Sequence, residues 1–430
     1  MVMKIKICVI FILYADERII KMLIPQEVMI ICDTIRNNGF EAYLVGGCVR
    51  DWLLNKEPND WDIATSAKPD RIQKLFKKTI PSGIIYGTIT VVIGDFQCEV
   101  TSFRGDSNYS DGRRPDEVIF VENIEEDLKR RDFTINSLAF QPEHNKNDIK
   151  IIDLFGGQED LNNKIIKAVG DPNERLREDA LRMLRACRFA SQLGFSIEEK
   201  TLKAIKDNHE LLKNVSQERI YIELKKILLS EKPSIGLRYA FKTGLMNVIF
   251  EDNVDDWHEF MFEAIDLLPK DFCLRSAILF NVKEHIIKQV DLLKRLKYSA
   301  KEIKKIHHLT KNYNKYREYL PMFDDYEIRM IMVNIGKEYF NDVFEILLAN
   351  ENASLSYFSR KCKEVSISAY SIKDLAINGD DLQKELKLSP GPEIKKLLDY
   401  LFQKVTENPE FNNKEKLLEL AKYEKNTSKA

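Results

Sequence analysis

The sequence predicts an α+β chain, with a small α/β head followed by a long all-α remainder. Three observations predict it. Between residues 22 and 150, short apolar runs of strand character alternate with helical patterns. Beyond about residue 155 the strand signals vanish and apolar residues recur at helical spacing. The chain has 430 residues, more than one hydrophobic core usually serves, so several modules are expected. Its 44% hydrophobic and 31% charged residues, with only 17 Gly and 13 Pro, are those of a soluble globular protein without long linkers.

Residues 1–21 read as an extension outside the fold. Lys4 and Lys6 precede an apolar run from Ile7 to Ala15 that resembles a signal peptide but is too short to span a bilayer. Leu13, at the -3 position of a cleavage after Ala15, is a poor signal, so a dispensable extension or a misplaced start is preferred over secretion. The head then opens with a helix over about 25–38, a strand at Ala42-Tyr43-Leu44-Val45, Gly46-Gly47, and a helix over 48–56. Asp60-Trp61-Asp62-Ile63-Ala64 follows a Glu57-Pro58-Asn59 loop. The β-rich runs 88–93 and 97–103, separated by Gly94-Asp95, read as a hairpin. Downstream, 180–193, 201–212 and 220–229 read as helices, with breaks near 231–233, 319–321 and Gly379.

Seven scattered cysteines without a CxxC read as free, mostly packed thiols of a cytosolic protein. Six histidines form no HExxH and no Cys/His cluster, which argues against structural zinc. Lys+Arg 66 against Asp+Glu 68 gives a net charge of -2. That balance argues against a uniformly basic nucleic-acid coat and leaves basic patches open.

The chemistry gathers in the head. On a strand, residues i and i+2 face the same way, so Asp60 and Asp62 would sit side by side. Two carboxylates held together are costly unless a cation shares them, and Mg²⁺ takes one or two carboxylates with phosphate oxygens and water. A pair of solvated loop carboxylates is the bland alternative. Gly46-Gly47, between a strand and a helix, lets backbone N–H groups approach an anion, and a helix N-terminus favours phosphate. Together these suggest transfer to or from a nucleoside triphosphate. Glu99 is either a third carboxylate, if its strand neighbours that of Asp62, or a solvated strand residue.

These blocks resemble a known family. Leu44-Val45-Gly46-Gly47-Cys48-Val49-Arg50-Asp51 with Asp60-Trp61-Asp62-Ile63-Ala64-Thr65 is similar to the head motif of nucleotidyltransferases. More closely, it resembles the bacterial-type (class II) CCA-adding tRNA nucleotidyltransferase and poly(A) polymerase family. Arg130-Arg131-Asp132-Phe133-Thr134-Ile135-Asn136 resembles its ribose-handling motif, Glu178-Asp179-Ala180-Leu181-Arg182 its nucleotide-reading helix, and Ser216-Gln217-Glu218-Arg219-Ile220 its neck motif. The resemblance implies a nucleotidyltransferase head with a mixed sheet at 22–150, a neck at 151–232, a helical body at 233–320 and a tRNA-binding tail at 321–430. It implies Mg²⁺ on Asp60 and Asp62, and nucleotide contacts from Gly46, Gly47, Arg50, Arg131, Asp132, Asn136, Asp179, Arg182, Arg185 and Arg188. Its implied partners are tRNA, CTP and ATP, in the cytoplasm, with neither DNA nor membrane.

The nucleotide-reading motif also makes physical sense. Asp179 and Arg182, three apart on a helix, face the same way and offer an acceptor and a donor fork. Such a pair satisfies the edges of cytosine and adenine, whereas uracil and guanine present a carbonyl to the carboxylate. A plain surface salt bridge is the alternative. Glu178 would orient Arg182 or Arg185. Eleven of the 21 arginines lie between Arg104 and Arg219, while the last segment carries lysines, including Lys395 and Lys396 beyond a Pro390-Gly391-Pro392-Glu393 helix start. These lysines are either a phosphate grip or a solvated face.

Three relatives compete. The stretch 84–91 lacks the Gly-Arg-Arg-Phe-like segment usual in poly(A) polymerases, and the loop 105–116 is present where CC-only enzymes tend to lack one. Enzymes that add only the final A share every motif quoted. The 276–281 segment lacks the His-Asp pair of phosphohydrolase-bearing members. A catalytically inactive RNA-binding homologue is the alternative of a different class, and the intact Asp60, Asp62, Asp179 and Arg182 argue against it.

Overall fold

The computed structural model describes residues 24–105, 119–142, 150–252, 259–281, 286–317, 324–350 and 364–427. Residues 1–21 and nearly all of the 105–116 loop lie outside them. The chain forms two compact units, 1–255 and 256–430.

In the first unit, α1 (Gln26–Asn37) buries Val28, Ile31, Cys32 and Ile35, an apolar stripe at spacing three to four. It leads into β1 (Ala42–Val45), buried at every residue. There follow α2 (Gly47–Leu53), β2 (Asp62–Thr65), α3 (Pro69–Leu75), β3 (Thr79–Gly83), β4 (Thr88–Ile93), β5 (Phe96–Ser102), α4 (Ile124–Lys129), β6 (Leu138–Phe140) and β7 (Ile151–Asp153). The seven strands lie in the order β3-β4-β5-β2-β1-β6-β7, with β2 and β5 parallel and the other neighbours antiparallel. The sheet is therefore mixed, as expected. The hairpin closes on Ile93 and Phe96, around Gly94-Asp95.

Sequence patterning missed β3, β6 and β7. β3 is an edge strand with Pro81 and a register shift between Ile80 and Gly83, and the other two are three residues long. Nor do strands end at residue 155. β8 (Ile165–Ile166) pairs in parallel with β9 (Ser196–Ile197), two residues each and too short to carry a period.

The rest of this unit is helical: α5 (Gly157–Asn162), α6 (Pro172–Glu178), α7 (Leu181–Leu193), α8 (Glu199–Asn208), α9 (Gln217–Leu228), α10 (Pro233–Lys242) and α11 (Leu245–Phe250). The α7–α10 crossing requires a glycine. A Cβ on Gly236 would stand 2.1 Å from the Cys187 carbonyl oxygen. Instead the Gly236 N–H donates to Ser191 Oγ, which donates to the Pro233 carbonyl.

The described elements of the second unit are helical. Capping boxes at Ser299/Glu302, Asp324/Glu327 and Asn378/Asp381 start three of the helices. Leu382, Leu401, Leu417 and Ala421 form the centre of one core. Arg329 is buried and donates to the carbonyls of Thr406 and Glu407. It thereby satisfies orphan acceptors at the end of the helix Pro392–Glu407. Among the described residues no helix is long and apolar enough to cross a membrane, and the described cysteines are free, all but Cys273 buried.

Candidate active site

β1 delivers the chain to Gly46, at φ 72 and ψ -127, a conformation open to glycine. A Cβ there would lie 2.8 Å from Arg131 Nη1, so the bare backbone admits the Arg131 guanidinium. The Gly46 N–H is spent on the Leu138 carbonyl. Gly46 is therefore not the phosphate donor that the paired glycines suggested. The free N–H groups begin with Gly47, in the first turn of α2.

Asp62 opens β2 and pairs in parallel register with Glu99 of β5, so the two carboxylates share a sheet face. Glu99 alternates outward between buried Cys98 and Val100. Asp60 is not on the strand as expected. It lies in a bend, because the ladder begins only at Asp62. Burial pushes the Asp62 carboxyl up to about 6; Arg131 opposes this, and Glu99 and Asp60 add to it. Crowded carboxylates of this kind fit a shared cation. Among the described residues, no three His, Cys, Asp or Glu side chains are arranged to hold a metal alone. The donor set thus suits an ion that draws the rest of its shell from phosphate and water, as Mg²⁺ does.

The ribose-motif residues form one buried chain. Arg50 Nη1 donates to Asn136 Oδ1 (2.8 Å), and Asn136 Nδ2 donates to Asp132 Oδ1 (3.1 Å). Arg185 closes on Asp132 Oδ2 through Nε and Nη2 (2.8 and 2.5 Å). Burial raises the Asp132 carboxyl, but Arg185 and the Asn136 amide more than offset it and hold it well below the usual range. Sequence reading missed Asp127, whose 1%-exposed side chain accepts from Arg130 (2.6 Å) and Arg131 (3.0 Å). It sits in an ordinary acidic first turn, Glu125-Glu126-Asp127, with nothing local to mark it.

The nucleotide-reading motif is not one helix. α6 ends at Glu178, Asp179 is extended (φ -144, ψ 102), and α7 begins at Leu181. The Asp179 carboxylate breaks the run by accepting the Leu181 N–H at 3.1 Å. Its other oxygen accepts from Arg219 Nη2 at 2.7 Å. Arg182 instead donates to Glu178 (2.6 Å) and to the carbonyls of Arg175 and Arg130. Of the two roles open to Glu178, the contact is with Arg182. Arg219 lay inside a quoted motif but without a role. Arg188 pairs with Glu223 of α9, both buried (3.2 Å), and the guanidiniums of Arg188, Arg50 and Arg185 lie 4.2, 5.2 and 5.4 Å from the Phe189 ring centre.

One cleft of about 740 Å³ gathers these residues. Gly46, Gly47, Arg50, Asp60, Asp62, Glu99, Arg131, Asp132, Asn136, Asp179, Arg182, Arg185 and Arg188 all line it. A second groove, about 610 Å³ in the other unit, is lined by lysines and His307 without a carboxylate. Lys395 and Lys396 also belong to that unit, exposed on the helix Pro392–Glu407.

Three family models match in order: the poly A polymerase head domain over residues 42–167, the RNA and SrmB-binding site of polymerase A over 194–255, and tRNA nucleotidyltransferase domain 2 over 276–421. The CCA-adding enzyme of Pediococcus pentosaceus is 39% identical over 386 residues, 88% of this chain and 93% of that protein. That of Enterococcus faecalis is 39% identical over 408 residues, 93% of this chain and 97% of that protein. The crystal structure of the Bacillus stearothermophilus CCA-adding enzyme in complex with CTP matches with a TM-score of 0.74 at 30% identity, over 94% of this chain and 98% of that one. With relatives this close over nearly its whole length, the chain belongs to the CCA-adding enzymes of the bacterial tRNA nucleotidyltransferase and poly(A) polymerase family.

Proposed function

We propose that the chain adds C, C and A in turn to the 3′ end of tRNA, using CTP and ATP without a nucleic-acid template. One observation carries this reading: the Asp60–Asp62 pair of the head and Asp179 with Arg182 of the neck line a single cleft. The names of the near-full-length relatives support CCA addition over addition of A alone. At each step the RNA 3′-hydroxyl oxygen bonds to the α-phosphorus. The bond to the bridging oxygen breaks, pyrophosphate leaves with the electron pair, and the hydroxyl proton passes to solvent.

Asp60 and Asp62, beside Glu99, would hold Mg²⁺, which when bound supplies charge neutralisation for the triphosphate and acidifies the attacking hydroxyl. The chain's own residues position the substrate. The first turn of α2 from Gly47 faces the phosphates, and the Arg50–Asn136–Asp132–Arg185 chain with Arg131 frames the ribose. Asp179 accepts from the exocyclic amino group of cytosine or adenine, and Arg182 donates to the neighbouring ring acceptor. We assign 22–150 as head, 151–232 as neck, 233–320 as body and 321–430 as tail, and the cytoplasm as the site of the reaction.

The test supplies tRNAs ending before the first C, after CC, or complete, with Mg²⁺ and labelled CTP or ATP given separately. CTP incorporation on the first and ATP on the second is expected. ATP incorporation onto the CC-ending RNA alone would make this an A-adding enzyme, and no incorporation anywhere would end the enzyme reading. Asp60→Ala should abolish every addition, and retained activity would remove the metal role.

A further inference from the structure

The arginines of the cleft are already committed. Arg50, Arg131, Arg182, Arg185, Arg188 and Arg219 each have a carboxylate oxygen within 3.2 Å. Drawing one of them out to meet a new anion leaves a partly buried carboxylate unpaired, which is costly. Lys226 of α9 also lines this cleft, and its side chain is exposed to it. Among the described residues it has neither an ion pair nor a hydrogen bond. Glu223, one turn earlier on α9, is already spent on Arg188. An ammonium on a flexible four-carbon stem is a point charge that reaches an anion without a pre-set fork geometry.

We infer that Lys226 is a phosphate-binding residue of this cleft, taking either the triphosphate of the incoming nucleotide or the last phosphodiester of the RNA 3′ end; the inference rests on the nucleotidyl-transfer reading above. Its electrostatic surroundings fit that role. Burial lowers the Lys226 pKa, Arg188 and Arg185 lower it further, and Glu223 and Asp60 oppose them. The amine thus shares one cleft with the Arg185 and Arg188 guanidiniums of α7 and with the Asp60 carboxylate. An arriving phosphate relieves the like-charge crowding there while breaking no existing pair.

The test compares the full-length chain with Lys226→Ala and Lys226→Arg. KM is measured for CTP and ATP at saturating tRNA, and tRNA affinity across a range of salt concentrations. If the triphosphate is the ligand, Lys226→Ala raises KM for CTP and ATP by one common factor, roughly tenfold, with nucleotide choice unchanged and Lys226→Arg restoring most of it. If the RNA phosphate is the ligand, tRNA affinity falls and the slope of log affinity against log salt drops by about 1, with nucleotide KM unmoved. Wild-type values in both measurements would overturn the inference. The thermal midpoint should match wild type, since Lys226 supports no other side chain, and a lowered midpoint would count against that free placement. If wild type adds no nucleotide to any tRNA, the underlying reading fails, whereas the salt-dependent tRNA measurement still tests the phosphate contact.

Discussion

Asp127 shows how one buried charge organises the wall of the cleft that it helps to line. Burial pushes its carboxyl up, but the guanidiniums of Arg131 and Arg130, with the Arg104 N–H, outweigh that and hold it at about 2. A folded pKa below the ordinary ~3.9 means that the unfolded chain binds the proton more readily. The stability Asp127 contributes, roughly 2 kcal/mol from the size of the shift, is therefore fully present above about pH 4. It is lost as pH falls toward 2. Asp127→Asn removes this acid limb and leaves two arginines without their shared carboxylate, at a cost of about 3 kcal/mol near pH 7. Urea unfolding followed by Trp52 and Trp61, in a Trp257→Phe background, reads the difference between variant and parent. That difference should shrink between pH 5 and 2, and one constant across the range would contradict the ion-pair account. Activity should fall with it, because Arg131 loses the partner that holds it against Gly46 and beside Asp62.

Individual elements were legible wherever pattern and chemistry are local. The strand into Gly46-Gly47 and the Gly94-Asp95 hairpin follow from short-range periodicity, whereas the Asp62–Glu99 neighbourhood, open in the sequence, comes from the parallel pairing of β2 with β5. The α6–α7 junction was not, because i,i+3 spacing assumes a continuous helix, and an aspartate can end a helix by capping the next one. The structure therefore assigns the two residues separate anchors. Asp179 is held by Arg219, and Arg182 by Glu178 and the Arg130 carbonyl. On the proposed reading, selectivity depends on how the two ends are fixed rather than on a salt bridge between them. Arg182→Ala should slow addition and also weaken discrimination of CTP and ATP against UTP and GTP by roughly 10- to 100-fold. Competition assays on one tRNA measure this ratio directly, and a slowed enzyme with wild-type selectivity would show that Arg182 is structural only.

At the scale of the whole molecule, charge is sorted by type, and the net charge of -2 conceals it. Arginines concentrate between Arg104 and Arg219, where nearly every guanidinium lining the cleft is fixed by a carboxylate. Sequence could show that clustering. It could not show the pairing, which joins residues as far apart as Asp132 and Arg185 or Arg188 and Glu223. The C-terminal segment carries lysines instead, and two groups of them contrast. Lys404, Lys414 and Lys416 are engaged by Glu407, Asp381 and Glu419, whereas Lys395 and Lys396 stand exposed and, among the described residues, unpaired on one turn of the helix Pro392–Glu407. Unpaired ammonium groups release counterions when they meet a phosphate backbone, and that contribution is blind to sequence. The double variant Lys395→Ala/Lys396→Ala should therefore weaken binding to different tRNAs by the same factor and lower the salt slope by about 2. Replacing Lys404 and Lys414, already neutralised, should lower it by less. Equal slopes for the two double variants would place these lysines on a solvated face and move the RNA grip elsewhere in the chain.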